Sequence, residues 1–88
     1  MPKSYIINYD LRKQRDYDSL YKAIKSYGTW ARPLESTWVI VTEQTAIEVR
    51  DYLSKYMDSD DGLLVVRSSG EAAWRSVDCK NEWLKEHL

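Results

Sequence analysis

The sequence predicts an α+β fold in which four strands and two helices alternate as βαββαβ, followed by a third helix. Three observations lead to this expectation. Residues 4–9, "SYIINY", are β-branched and aromatic, and apolar residues recur with helical spacing across residues 17–27. Two further β-prone segments, 36–42 and 63–67, lie on either side of a second helical stripe. At this length the chain is expected to form a single domain, residues 1–88.

The first strand stops at Asp10, and the clearest helix follows it. We expect this helix to begin at about Asp16, whose side chain can cap the N-terminus, and to end at Gly28. Its apolar residues are spaced i, i+3, i+4, i+7 and i+10, which places them on one face. They are Tyr17, Leu20, Tyr21, Ile24 and Tyr27.

Two β-prone segments then form a predicted hairpin. The first, "TWARP" at 29–33, is an edge strand or a strand end because it contains Pro33. The second, "STWVIVT" at 36–42, begins after two more residues. Thr42 is expected to cap the second helix. The apolar stripe of that helix consists of Ala46, Val49, Leu53, Tyr56 and Met57.

The last third of the chain supplies a strand and a helix. The segment "DSDDG" at 58–62 has the composition of a turn, and "LLVVR" at 63–67 is apolar on both sides, which predicts a central strand. A helix from about Asp78 follows, and its inner side carries Cys79, Trp83 and Leu84. The order βαββαβ is that of the ferredoxin-like fold, an antiparallel sheet with two helices on one face. Either a partner subunit or the trailing helix is expected to cover the other face.

Composition limits the class of protein. Phe is absent, so four Trp and seven Tyr provide the large core groups, and rings of this kind in so short a chain favour a homodimer. A single cysteine excludes an internal disulfide, and together with one histidine it is too little for a zinc site. The first residues lack the apolar stretch of a signal peptide, and no run is long enough to span a membrane. We therefore expect a cytoplasmic protein without a membrane partner.

Charge permits a local contact with phosphate but does not demand one. The formal net charge is −1, which argues against strong general binding of nucleic acid. Residues 1–33 nevertheless carry seven Lys/Arg against three Asp/Glu, a net of +4, and residues 34–88 carry six against eleven, a net of −5. Three of the basic residues follow Asp10 closely. They are Arg12, Lys13 and Arg15, the candidate nucleic-acid-binding residues.

Several short stretches resemble, in their order and spacing, one superfamily. They are "NYDL" (8–11), "STW" (36–38), "DDGLLVVR" (60–67) and "GEAAW" (70–74), followed by Trp83 and Leu84. The chain is similar to the small CRISPR-associated adaptation proteins, the second of the conserved set, and to the virulence-associated protein D-like proteins. It resembles most a branch of that superfamily that carries the label "SinR-like".

The resemblance implies a ferredoxin-like homodimer whose characterised relatives include metal-dependent endonucleases acting on RNA or DNA. In those nucleases the Asp at the end of strand 1 is the key residue, and the two copies hold a divalent ion between them. That position is Asp10 here, so Asp10 is the candidate catalytic and metal-binding residue, with Mg²⁺ or Mn²⁺ as the cofactor. A carboxylate suits this role, because Mg²⁺ keeps several waters and needs one or two protein carboxylates.

Two functions from different classes stay open. The first is a metal-dependent endonuclease, cutting RNA rather than DNA, in which paired Asp10 side chains hold the ion. The second is a non-catalytic dimer that binds a protein or a nucleic acid through the same fold. In the second case Asp10 is an ordinary turn residue whose charge is balanced by its basic neighbours.

The remaining polar and aromatic candidates have structural interpretations that we favour. The acidic residues of 58–61 form a turn rather than a cation site. Ser36 and Thr37 could contact phosphate, but are expected to satisfy the backbone of the hairpin. Trp30 and Trp38 could stack on bases, but packing or dimer contact is the expected use. Cys79 is expected to be a small core residue.

Overall fold

The computed structural model describes residues 1–13 and 16–88. Within these ranges it contains four strands and three helices. They are β1 (Lys3–Asp10), α1 (Asp18–Lys25), β2 (Trp30–Leu34), β3 (Thr37–Thr42), α2 (Ala46–Ser54), β4 (Gly62–Arg67) and α3 (Asn81–His87). The predicted α+β class, the antiparallel sheet of four strands and the three helices are confirmed. None of the helices in the described ranges is long and apolar enough to cross a membrane.

The strands form one sheet in the order β2-β3-β1-β4, and each neighbouring pair is antiparallel. The prediction that β4 is central is therefore wrong, since β4 is an edge strand. Its apolar residues alternate between two environments: Leu63 and Val65 pack against the core, whereas Leu64 and Val66 are exposed on the outer face. In this chain the apolar run therefore belongs to an edge strand with an uncovered face, not to a strand buried on both sides.

One face of the sheet and the helices α1 and α2 enclose the main core. The residues from the sheet are Tyr5, Ile7 and Tyr9 of β1 together with Trp38 and Ile40 of β3. The helices contribute Leu20, Ala23, Ile24, Val49 and Leu53. The buried tyrosine hydroxyls find partners, as that of Tyr5 donates to the carbonyl of Gln44 over 2.7 Å. This pairing offsets the cost of burying rings that carry polar atoms.

α1 begins two residues later than its acidic cap predicts. Its first residue is Asp18, and the side chain of Asp16 accepts a hydrogen bond from the backbone N–H of Asp18 over 2.8 Å. Asp16 therefore does bind a free N–H at the helix start, although Tyr17 occupies the N-cap position. Beyond the helix, Gly28 has a φ of +87°, a backbone conformation that favours glycine.

The N-cap of α2 is Thr45, not the predicted Thr42. The hydroxyl of Thr45 accepts from the N–H of Glu48, and the side chain of Glu48 accepts from the N–H of Thr45, which makes a complete capping box. Thr42 is still part of β3, where it pairs with Lys3 of β1. The sequence offers a threonine at both positions, and strand pairing determines which of them caps the helix.

α3 is shorter than predicted and lies against the β2 side of the sheet. It begins at Asn81 rather than near Asp78, and Leu84 is its buried residue. The N–H of Asp78 donates to the carbonyl of Pro33 over 2.8 Å, which ties the segment before the helix to β2. Val39 is buried although it alternates with the core residues Trp38 and Ile40, so the outer face is covered on this side.

The β1–β4 half of the outer face is open in the single chain. Leu64 is 58% exposed and Val66 is 43% exposed, and their neighbours across the strand pair are Asn8 and Ile6. α3 therefore covers only part of the outer face of the sheet. The apolar part of this face that remains in water lies on the same side of the sheet as Asp10.

Candidate functional site around Asp10

Asp10 is the last residue of β1 and pairs with Gly62, the first residue of β4. Strand alternation points Tyr9 into the core and Asp10 to the outer face. The Asp10 side chain is 72% exposed, so its carboxylate is open to water. Among the described residues it forms an ion pair with the guanidinium of Arg12, whose Nε lies 3.2 Å from Oδ2.

Arg12 is held in place by the loop that precedes β4. Its backbone N–H donates to Oδ1 of Asp61 over 2.7 Å, and its Nη1 donates to the carbonyl of Asp60 over 2.8 Å. The guanidinium lies above Gly62, since a Cβ at that glycine would stand 3.2 Å from Nη2. The absence of a side chain at position 62 therefore lets the arginine reach across β4 towards Asp10.

Lys13, the next of the predicted basic residues, forms an ion pair at the surface. The Nζ of Lys13 lies 3.0 Å from Oδ2 of Asp60, and both side chains are at least half exposed. Arg15 lies outside the described residues. The structure thus brings Asp10, Arg12 and Lys13 to one end of the sheet, where Asp60 balances part of the positive charge.

The acidic loop is a turn, as predicted. The N–H of Asp61 donates to the carbonyl of Asp58, which closes the turn. The Asp61 carboxylate accepts from the N–H of Asp58 over 2.9 Å and from the Tyr17 hydroxyl over 2.8 Å, in addition to the N–H of Arg12. The Asp61 carboxylate therefore connects the turn before β4 to Arg12, which follows β1, and to Tyr17, which precedes α1. Among residues 1–13 and 16–88, no three His, Cys, Asp or Glu side chains converge as metal ligands would.

A polar cavity of about 230 Å³ opens beside Asp10, between the end of β1, α1 and the β2–β3 hairpin. The residues around it include Tyr9, Asp10, Tyr21, Arg32, Glu35 and Ser36. Among the described residues around the cavity, Arg32 is the cation, and the sequence did not single it out. A usable signal was its place two residues from Trp30 in the predicted edge strand, because alternation puts both on the face that also carries Trp38.

The Tyr9 hydroxyl links the cavity to the core. It accepts a hydrogen bond from Nε1 of Trp38 over 2.9 Å and donates to the carbonyl of Glu35 over 3.2 Å. Burial raises the pKa of Tyr9 above its ordinary value, while the Trp38 hydrogen bond and the charge of Arg32 oppose the change. The hydroxyl is therefore protonated at neutral pH and serves as a fixed strut between the strand and the hairpin.

Trp38 packs in the core as we expected, but three other candidates differ from their expected roles. The Thr37 hydroxyl binds a side chain instead of the hairpin backbone, Ser36 contributes its carbonyl instead of its hydroxyl, and Cys79 lies before α3 and is not a core residue. The hydroxyl of Thr37 donates to Oδ1 of Asn8 across the β1–β3 pair, and the carbonyl of Ser36 accepts from the N–H of Tyr9. Trp38 is buried, and the ring of Trp30 lies 5.3 Å from it. Cys79 is half-buried, and burial, with a smaller contribution from the charge of Asp78, raises the pKa of its thiol.

No protein-family model matches the chain, and no solved structure is significantly similar to it.

Proposed function

We propose that the chain is a metal-dependent endonuclease that acts as a homodimer and cuts RNA rather than DNA. The observation that carries this proposal is the exposed carboxylate of Asp10 at the end of β1, on the outer face of the sheet. The preference for RNA and for Mg²⁺ or Mn²⁺ comes from the resemblance of "NYDL" and the other short stretches to the CRISPR-associated and virulence-associated D-like proteins.

The arrangement of the strands supports the ferredoxin-like part of the proposal. The elements follow each other as βαββαβ before α3, and β1 and β3 are the two inner strands. The side chains of α1 and α2 share one core with the inner faces of those strands. Both helices therefore lie on one face, as in a split βαβ architecture.

The open half of the outer face supports the dimer. Leu64 and Val66 expose apolar side chains there, and Asp10 ends the neighbouring strand on the same face. A two-fold contact between two such faces would cover the apolar residues and bring the second Asp10 from the partner. One carboxylate from each chain then suffices for an ion that prefers oxygen ligands.

The residues at the site fit a hard cation and a phosphate. Asp10 offers an accessible carboxylate, and a bound divalent ion would polarise the phosphate and make water more acidic. Arg12 must release Asp10 for the ion to bind, and its guanidinium is then free to neutralise a phosphate oxygen. Lys13, paired with Asp60 at the surface, can do the same for a neighbouring phosphate.

The second candidate function is a non-catalytic dimer that binds a protein or a nucleic acid. The ion pair between Asp10 and Arg12 favours it, because the carboxylate already has a cationic partner in this chain. In this case Asp10 stabilises the end of the sheet, and binding depends on the basic and aromatic groups around it.

Cleavage of a panel of single-stranded RNA and duplex DNA, with Mg²⁺, Mn²⁺ or EDTA, separates the two. We expect the wild type to cut RNA with metal and Asp10→Asn to lose cleavage while staying folded and dimeric. Asp51→Asn is the matched control, since Asp51 is also an exposed aspartate paired with an arginine, Arg50, on α2. Equal cleavage by wild type and Asp10→Asn would overturn the role of Asp10. No cleavage by either, across metals and pH, would leave the binding function.

A further inference from the structure

We propose that the cavity beside Asp10 binds one backbone phosphate of single-stranded RNA, with Arg32 as the residue that contacts it. This inference rests on the proposed function, because the same strand of RNA would pass Asp10. It goes further in naming a second anion contact, on the β2–β3 hairpin, at a residue to which the sequence analysis assigned no role.

Arg32 has a positive charge and a free donor. Its Nε and Nη2 both donate to the carbonyl of Glu35, over 3.0 and 2.6 Å, and Nη2 also approaches the Tyr9 hydroxyl at 3.4 Å. In the described part of the chain Nη1 makes no hydrogen bond, and no carboxylate lies within ion-pair distance of this guanidinium. A carbonyl partner leaves the full charge of the arginine for a ligand.

The guanidinium is fixed before any ligand arrives. Its central carbon lies 4.9 Å from the centre of the Tyr21 ring and 5.0 Å from that of the Trp38 ring. Two aromatic contacts and the hydrogen bonds to Glu35 hold the planar group in one orientation. Binding an anion then costs little side-chain entropy, unlike binding by a long, freely moving surface lysine.

The cavity has room for a phosphate group. Its volume is about 230 Å³, and it opens to the surface, so the sugar and base can extend into water. A contact with the phosphate alone carries no sequence information. The exposed Ser36 at the cavity offers a hydroxyl as an additional donor.

The recessed position favours a single strand over a duplex. Arg32 is half-buried beside the stacked rings of Tyr21 and Trp38, so a phosphate must be turned inward to reach Nη1. A flexible single strand can do this, but duplex DNA stays stiff over about 150 base pairs. Two of the residues around the cavity, Asp10 and Glu35, are acidic and oppose the binding of an anion, and the charge of Asp10 is partly balanced by Arg12.

The test is binding without cleavage. A fluorescein-labelled 12-residue oligouridylate is titrated with wild type, Arg32→Gln and Arg50→Gln in EDTA, at several salt concentrations, and anisotropy is recorded. We expect Arg32→Gln to weaken binding about ten-fold and to reduce the slope of log affinity against log salt by about 0.7 for each pocket engaged. Arg50→Gln removes the same charge from an exposed arginine of α2 and should leave both quantities unchanged.

Two further variants keep the test decisive if Arg32→Gln unfolds. Ser36→Asp adds a negative charge at the cavity without touching the rings that hold Arg32, and should weaken binding. Glu35→Gln keeps the carbonyl that Arg32 contacts and removes a negative charge, and should strengthen binding. Equal effects of Arg32→Gln and Arg50→Gln, or no effect of Ser36→Asp and Glu35→Gln, would overturn the proposal.

The outcomes for the pocket and for the nuclease are distinguishable. Binding that depends on Arg32 in EDTA, with cleavage that does not depend on Asp10, would retain the phosphate pocket and reject the nuclease. Cleavage that requires Asp10, with oligouridylate binding indifferent to Arg32, would reject the pocket alone.

Discussion

Asp10 and Arg12 are joined at the surface by an ion pair that a third residue makes possible. Gly62 has no side chain to occupy the space where the Arg12 guanidinium lies, and a Cβ there would come within 3.6 Å of the Cβ of Asp10 as well. The availability of the Asp10 carboxylate to a metal ion therefore depends on Arg12, which pairs with it, and on Gly62, which leaves room for the guanidinium.

We expect Arg12→Ala to raise the affinity of Asp10 for Mn²⁺, at most about five-fold, because an exposed ion pair contributes little. Gly62→Ala should act in the same direction, since the added methyl group displaces the guanidinium. Paramagnetic broadening of the Asp10 amide during a Mn²⁺ titration measures the effect. Arg50→Ala is the control, and an unchanged affinity in Arg12→Ala would mean that the guanidinium does not compete with the ion.

Tyr9→Phe should destabilise the fold more than Tyr5→Phe. Loss of the Tyr9 hydroxyl leaves Nε1 of the buried Trp38 without its acceptor, at a cost of about 1–3 kcal/mol in the free energy of unfolding. Tyr5 donates to the carbonyl of Gln44, an exposed residue that water can reach, so we expect about 1 kcal/mol there. Urea unfolding of both variants gives the comparison, and equal losses would contradict the role of Tyr9 as a strut.

At the scale of the elements, the start of α2 offers a direct check of which threonine is the cap. Thr45→Ala removes the capping box and should lower the free energy of unfolding by about 1 kcal/mol. The Thr42 hydroxyl accepts only a 3.3 Å hydrogen bond from the N–H of Gln44, so Thr42→Ala should cost less. Thermal unfolding of the two variants is the measurement, and a larger loss in Thr42→Ala would contradict the observed helix start.

Tyr27, which follows α1 and donates to Oε1 of Gln44 in the β3–α2 loop, should make stability depend on alkaline pH. Burial, with the nearby Tyr52 and Glu48, raises the pKa of Tyr27 to about 12 from an ordinary value of 10.0. The raised pKa favours the neutral phenol in the folded state, so this stabilisation is complete below pH 10 and is lost as pH rises towards 12. Urea unfolding at pH 9 and pH 11.5 should show a smaller pH-dependent loss for Tyr27→Phe than for wild type.

Local sequence patterns predicted where helices and strands form better than they predicted which strands lie side by side in the sheet. The α1 stripe was identified correctly because its spacing depends on nearby residues alone, and Leu20 and Ile24 are fully buried. The position of β4 could not be read in this way, since apolar residues on both sides suit a central strand and an edge strand with an open face alike. The difference lies in which strands pair, and that is decided by residues far apart in the sequence.

In the candidate site, too, the local sequence indicated one residue but not the contacts between residues that are distant in the sequence. Asp10 could be identified from its place at the end of a strand, together with the resemblance. The partners that fix its neighbours could not, because Arg12 reaches Asp60 and Asp61, which lie 48 and 49 residues away. Alternation in the predicted edge strand gives only the face on which Arg32 lies, whereas its contacts with Tyr21 of α1 and Trp38 of β3 depend on the tertiary fold.

For the whole molecule, the open half of the outer face is where we expect a second copy. Val66→Glu should convert the dimer into a folded monomer, because a buried unpaired carboxylate at a two-fold contact is strongly unfavourable. Leu34→Glu alters another exposed apolar residue, on the strand at the opposite edge, and should leave the dimer intact. Sedimentation velocity gives the molecular mass, and a monomeric wild type or a dimeric Val66→Glu would contradict the proposed interface.

β4 has apolar side chains on both faces, so hydrophobicity alone hardly distinguishes its native alignment from one displaced by a single residue. Such a slip would bring Leu63 opposite Asp10 in place of Gly62 and fill the space of the Arg12 guanidinium. The hydrogen bonds of Asp61 and the bare glycine beside it therefore hold the strand in register as well as shaping the site. One residue inserted directly after Gly62 would set the pairing of the edge strand against these contacts, so that the register and the surroundings of Asp10 could not both be kept.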